Sequence, residues 1–238
     1  LILFLIFISL MYYIGGEYVP FHPDEATQIY TSRDFTQWIE NPSSLALDSD
    51  DNMDDRARYR LIDAPLTRLL IGIGLNNSGL QPTSVDWDWS KTWQSNINTG
   101  ALPDPSVLKT ARWSVMWIFP LTLFFLFMLA NKIGGWKTGL ISVLLLSTNS
   151  LILLHTRRAM AESALICFVC FSLWMLMCVE KRVWLSAIPL AFAINSKQTA
   201  LPLAGIGILH TLFQTKPQWK MRLKSLALFS GLIILISS

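Results

Sequence analysis

The sequence predicts an all-α polytopic membrane protein. Its 238 residues are 52% hydrophobic and only 15% charged, and the mean hydropathy is +0.42, well outside the usual soluble range. The apolar residues are gathered into long blocks that lack the polar face of an exposed amphipathic helix. Blocks near or above about 17 residues have the length needed to cross a bilayer.

The predicted spans are 1–16, 113–131, 138–155, 163–179, 183–195, 199–213 and 225–238, with a long segment, 17–112, after the first. The first block, "LILFLIFISLMYYIGG", carries no charge. It lacks the basic start and small-residue cleavage pattern of a signal peptide and reads as a helix of the mature chain. Apolar runs at both ends predict a piece of a longer polytopic protein. The fifth span is short, and the last is cut by the end of the sequence.

The connections assign the sides. "KIGGWK" (132–137), "EKR" (180–182) and "QTKPQWKMRLK" (214–224) are short and basic, whereas 17–112 is rich in Asp and contains "DSDDNMDD". They alternate strictly, so the positive-inside rule puts the basic loops in the cytoplasm. The long segment then faces the periplasm or exterior, or the lumen in a eukaryote. Two outside turns, "TRRAMAE" (156–162) and "NSKQ" (195–198), carry Arg157, Arg158 and Lys197 against that rule.

The outside segment has helix grammar of its own. "PDEATQIYTSRDFTQWIEN" opens with Pro and acids and continues with Ile29, Phe35, Trp38 and Ile39 near helical spacing. "RARYRLIDAPLTRLLIGIGL" (56–75) predicts an interfacial helix broken at Pro65, and "PTSVDWDWSKTWQSNINTGALPDP" an ordered loop. Trp87, Trp89 and Trp93 read first as an interfacial belt, with stacking on a sugar ring as the alternative. Cys167, Cys170 and Cys178 lie in one apolar block and read as packing residues despite the CxxC spacing of "CFVC".

The charges at the water boundary invite chemistry. Asp24 and Glu25 follow the first membrane exit, where carboxylates also stabilise the positive end of a helix dipole. Arg157 and Arg158 sit where an outside turn becomes a membrane helix, with Glu162 one turn beyond Arg158. An Arg–Glu pair within a helix is the local reading of that spacing, and snorkelling explains any single cation. Taken together, embedded charges mark substrate paths, and guanidinium groups match phosphate oxygens. The set suits transfer of a sugar from a polyprenyl phosphate, which needs a base for the acceptor proton and positive charge for the departing phosphate.

The membrane exit followed by "HPDEATQIY", then "DAPLTRLL", "ARWSVMWIFPLTLFFLFMLANKIGGWKTGLIS" and "HTRRAMAES", resembles the GT-C glycosyltransferases. The likeness is to the protein O-mannosyltransferase, lipid A aminoarabinose transferase and RgtA/B/C/D-like group. It covers nearly the whole chain and implies a GT-C-like bundle of about seven transmembrane helices with a large helical outside loop after the first. It also implies an inverting glycosyltransferase that moves a hexose such as mannose, or a pentose, to an acceptor hydroxyl on the outer or lumenal face. The donor is a polyprenyl-phosphate-linked sugar; the acceptor is a protein, lipid or glycan; the partner surface is the bilayer, and nucleic acid is not expected.

By the resemblance Asp24 is the catalytic carboxylate with Glu25 beside it, and Glu162 stands where the family usually has Asp, to orient the acceptor or hold a divalent metal ion. Arg157, Arg158 and Lys197 bind the donor phosphate. The family's Lys or His before "PPL" is replaced by Asp63-Ala64-Pro65, leaving Arg58, Arg60 or Arg68 as the alternative substitutes. The rival readings are a transporter or flippase of an anionic or lipid-linked substrate, and a noncatalytic homologue that serves as an assembly subunit.

Overall fold

The computed structural model describes residues 1–45, 55–178, 183–213 and 219–237. Most of the acidic run and the basic connections at 180–182 and 214–218 lie outside the described residues. Those described are helical with no strand among them, and they form two bodies.

The first body comprises residues 10–117 and 153–161. It takes in the C-terminal part of α1 (Ile2–Gly16), then α2 (Pro23–Thr31), α3 (Asp34–Glu40), α4 (Asp55–Ile62), α5 (Leu66–Asn77), α6 (Trp93–Asn98) and α7 (Pro105–Met116). The sequence sets the start of α2 through a capping box. His22 Nδ1 accepts the Asp24 N–H at 3.2 Å, and the Glu25 carboxylate accepts the His22 N–H at 3.0 Å. The core joins Ile29 of α2, Ile71 and Leu75 of α5, Val107, Ala111 and Val115 of α7, and Ala159. Gly72 lets α5 approach closely, since a Cβ there would sit 2.6 Å from the Ser32 carbonyl oxygen.

Two expectations for this body gain detail. The break at Pro65 separates α4 from α5 as predicted. The tryptophan-rich stretch is not loop throughout: Thr92 Oγ1 caps α6 by accepting the Ser95 N–H at 3.3 Å. Trp87 is 5% exposed and packs on Trp93 and Phe21 at 4.7 and 5.6 Å between ring centres, whereas Trp89 stays exposed near His22. Trp87 is therefore a core residue of the segment 17–112, not part of a belt.

The second body comprises residues 1–9, 118–152 and 162–238. It contains α8 (Phe119–Thr148), the start of α9 (Ser150–Thr156), α10 (Glu162–Cys178), α11 (Ala187–Ser196), α12 (Pro202–Phe213) and α13 (Trp219–Ser237). The helical path of α8 is interrupted at Gly135, whose φ of 81° and ψ of 177° suit glycine. A Cβ on Gly139 would lie 2.8 Å from the Phe127 ring and 3.1 Å from the Phe127 carbonyl oxygen. Residues twelve apart would be about 18 Å apart along a straight helix, so the chain folds back on itself here. The "KIGGWK" connection is thus a tight reversal between two helical arms.

Phe125 stacks on Phe171 at 4.1 Å, tying α8 to α10. Ala187, Leu190, Ala193, Ile194, Ala200 and Phe229 form a core shared by α11, α13 and the turn between α11 and α12. Cys167 and Cys170 are buried free thiols of α10.

Among the described residues, one helical stretch, Pro105–Thr148, passes by length and composition as able to cross a membrane, with a mean hydropathy of 2.0 in its most apolar window. Ile2–Gly16, Glu162–Cys178, Val183–Ser196, Gln198–Phe213 and Leu223–Ile236 are apolar but shorter.

Candidate active site

Glu25 is the anchor of the candidate site in the first body. It is fully buried, and its carboxylate accepts from Arg112 Nε and Nη2, both at 2.8 Å. It also accepts the Ala159 N–H at 2.9 Å and the His22 N–H. Arg112 donates its remaining Nη1 to the Val19 carbonyl oxygen at 2.9 Å. The carboxylate thus has a bidentate guanidinium partner and two backbone donors, which together satisfy both of its oxygens. Glu25 therefore joins the segment after α1, the C-terminal half of α7 and the "TRRAMAE" segment at one point.

Asp24 has the opposite setting. It lies in the first turn of α2 with its side chain 49% exposed, and its Oδ2 is 3.6 Å from His22 Nδ1. Because that nitrogen accepts the Asp24 N–H, the contact becomes an ion pair only when His22 is protonated. Of the two adjacent acids, Asp24 faces solvent and Glu25 faces the interior.

The two arginines also differ. Arg157 Nε donates to the Tyr12 carbonyl oxygen at 3.0 Å and Nη2 to that of Met11 at 3.4 Å, with the guanidinium over the Tyr12 ring. Tyr12 Oη donates back to the Thr156 carbonyl oxygen at 2.7 Å. Arg157 is thus a clamp on the last turns of α1, and its burial lowers its pKa from the ordinary arginine value. Arg158 is 7% exposed, and its Nε has no hydrogen-bond partner. His155 Nδ1, three residues earlier, is likewise buried and unsatisfied. Unsatisfied buried polar atoms are costly, and a bound anion is one way to satisfy a guanidinium. No hydrogen bond or ion pair joins Asp24 to Arg157 or Arg158 among the described residues.

Lys197 and Glu162 belong to the second body, where Lys197 Nζ donates to Glu162 Oε1 at 2.7 Å. Glu162 Oε2 is buried and unsatisfied. An ammonium at that distance disfavours a divalent cation, and no group of three His, Cys, Asp or Glu side chains that could hold a metal is found among the described residues. The residues present do not fit a metal held by Glu162.

Two of the arginines proposed to replace the missing donor cation are engaged elsewhere. Arg60 pairs with Asp34 at 2.9 Å, and Arg68 with Asp34 at 3.3 Å and the Asp63 carbonyl oxygen at 2.6 Å. Burial pushes the Asp34 carboxyl up against the pull of both guanidiniums and lowers the Arg68 pKa. This cluster fastens α3 to α4 and α5.

Sequence reasoning missed Arg112 and gave no role to His155. Arg112 was visible only as the last charge before an apolar run, and its partner lies 87 residues away. No family model, curated protein or solved structure matches the chain.

Proposed function

We propose that the protein is an inverting, membrane-embedded glycosyltransferase of GT-C type that takes its sugar from a polyprenyl phosphate. Its seven spans are read from sequence, with the segment 17–112 on the outer or lumenal face. The observation that carries the reading is the division of labour at Glu25. Its buried ion pair with Arg112 and its bond to the Ala159 N–H tie the start of α2 to the arginine turn, while the neighbouring Asp24 carboxylate stays accessible.

In this mechanism Asp24 takes the proton of the acceptor hydroxyl. The acceptor oxygen forms a bond to the anomeric carbon as the bond from that carbon to the phosphate oxygen breaks. The departing polyprenyl phosphate carries the electron pair and is stabilised by cations. Arg158, with its unsatisfied Nε, is the principal phosphate ligand, and His155 adds a second polar contact. Arg157 keeps the end of α1 in place beside it. Glu25 acts as a positioning residue.

The test uses purified protein and a panel of polyprenyl-phosphate sugars, measuring consumption of the lipid-linked sugar. Asp24→Asn should lower the rate by about 10²–10⁴-fold without changing the unfolding temperature, as expected for a lost general base on an exposed side chain. In the same assay Arg158→Gln should weaken donor binding. An Asp24→Asn protein with full activity overturns the mechanism. Translocation of the sugar lipid without its consumption assigns the protein to transport instead.

A further inference from the structure

The first body has a cleft of about 370 Å³ that the reaction above does not use. Tyr13, Gly16 and Glu17 form one wall, and a single stripe of α7, including Lys109, Trp113 and Met116, forms the other. Its two ends differ in chemistry. Tyr13 and Trp113 stack at 5.1 Å between ring centres, giving an aromatic floor beside Met116. The rim carries Glu17, the first charge after the apolar block 1–16, and Lys109, which with Arg112 is the last charge before the apolar block 113–131. On the membrane reading of these two blocks, the cleft straddles the boundary between hydrocarbon and water, the depth favoured by Trp and Tyr.

The charges on the rim are available. Arg112 has committed its donors to Glu25 and the Val19 carbonyl oxygen. Lys109 Nζ and Glu17 Oε1 are paired at 2.9 Å, but both side chains are 62% exposed, and such a pair is held weakly. A ligand with a negative and a positive group a few atoms apart can insert between them and replace one surface ion pair with two.

We propose that the cleft binds the headgroup of a phosphatidylethanolamine lipid. The Lys109 ammonium takes the phosphate, the Glu17 carboxylate accepts from the primary ammonium, and the glycerol end lies over Tyr13, Trp113 and Met116. The rim discriminates among headgroups by charge. Phosphatidylglycerol satisfies Lys109 with its phosphate but offers Glu17 only uncharged hydroxyls in place of an ammonium. Phosphatidylcholine carries a quaternary nitrogen with no N–H to donate. The proposal rests on the membrane reading and is independent of the glycosyl-transfer step.

Native mass spectrometry of the purified protein, loaded with the three lipids at matched acyl composition, tests it. The expected result is at least about five-fold more phosphatidylethanolamine adduct than either competitor, a preference set by the difference in affinities. Glu17→Gln and Lys109→Gln should each remove that preference while leaving the unfolding temperature unchanged, because both side chains are exposed. Equal retention of the three lipids, or an undiminished preference in either variant, overturns the proposal. Alkaline carbonate extraction of native membranes separates the premise from the inference. Release of the protein overturns the membrane reading and the cleft with it. Retention without headgroup preference overturns the cleft alone.

Discussion

Asp24 and Glu25 are adjacent and chemically alike, yet the backbone turns one outward and the other into the interior. The capping box fixes that choice, since Glu25 must reach back to the His22 N–H and, once there, meets Arg112. The local half of this arrangement was legible: Pro, Asp and Glu after a membrane exit predict a helix start. The other half was not, because a contact between residues 25 and 112 leaves no mark on periodicity or spacing. The same limit explains Arg60 and Arg68, which looked like spare cations until Asp34 was seen between them. Removing one partner of the central pair leaves a buried charge uncompensated, so Arg112→Met should destabilise the fold by about 3–5 kcal/mol. The Glu25→Leu/Arg112→Met double variant should recover part of that loss. Thermal unfolding in detergent checks both; a single variant that melts with the parent would show the pair to be dispensable.

At the scale of elements, hydropathy located the helices better than it located their ends. α1, α10, α12 and α13 lie close to the predicted spans. The blocks 113–131 and 138–155 are redrawn, because α7 begins in what was read as outside segment and Asn149 separates α8 from α9. The basic connection "KIGGWK" was drawn from sequence between two apolar blocks, and the close approach of Gly139 to Phe127 bears out a reversal there. Gly139→Leu should therefore overpack the two arms of α8 and cost about 1–3 kcal/mol. Adding Phe127→Ala should restore some of the loss, as read by the unfolding midpoint. A straight helix would leave Gly139→Leu nearly neutral, which would remove the reversal.

For the whole molecule, the all-helical character follows from composition and block length, and the described residues bear it out. The number of spans and their direction rest on the alternation of basic and acidic connections. That ordering makes a direct prediction, because Ser90 and Lys137 are both exposed and lie in connections assigned to opposite faces. In a background without other cysteines, Ser90→Cys should react with an impermeant maleimide in intact cells. Lys137→Cys should react only after permeabilisation. Labelling of both from outside would overturn the assigned topology.

The buried carboxylate of Glu25 draws its partners from positions 22, 112 and 159, and the last of these leaves the ribosome long after the first. Residues 17–112 must therefore wait, their keystone half seated, until the two hydrophobic stretches between positions 112 and 159 have been synthesised. A nascent chain halted before position 159 would lack the backbone donor that completes that joint.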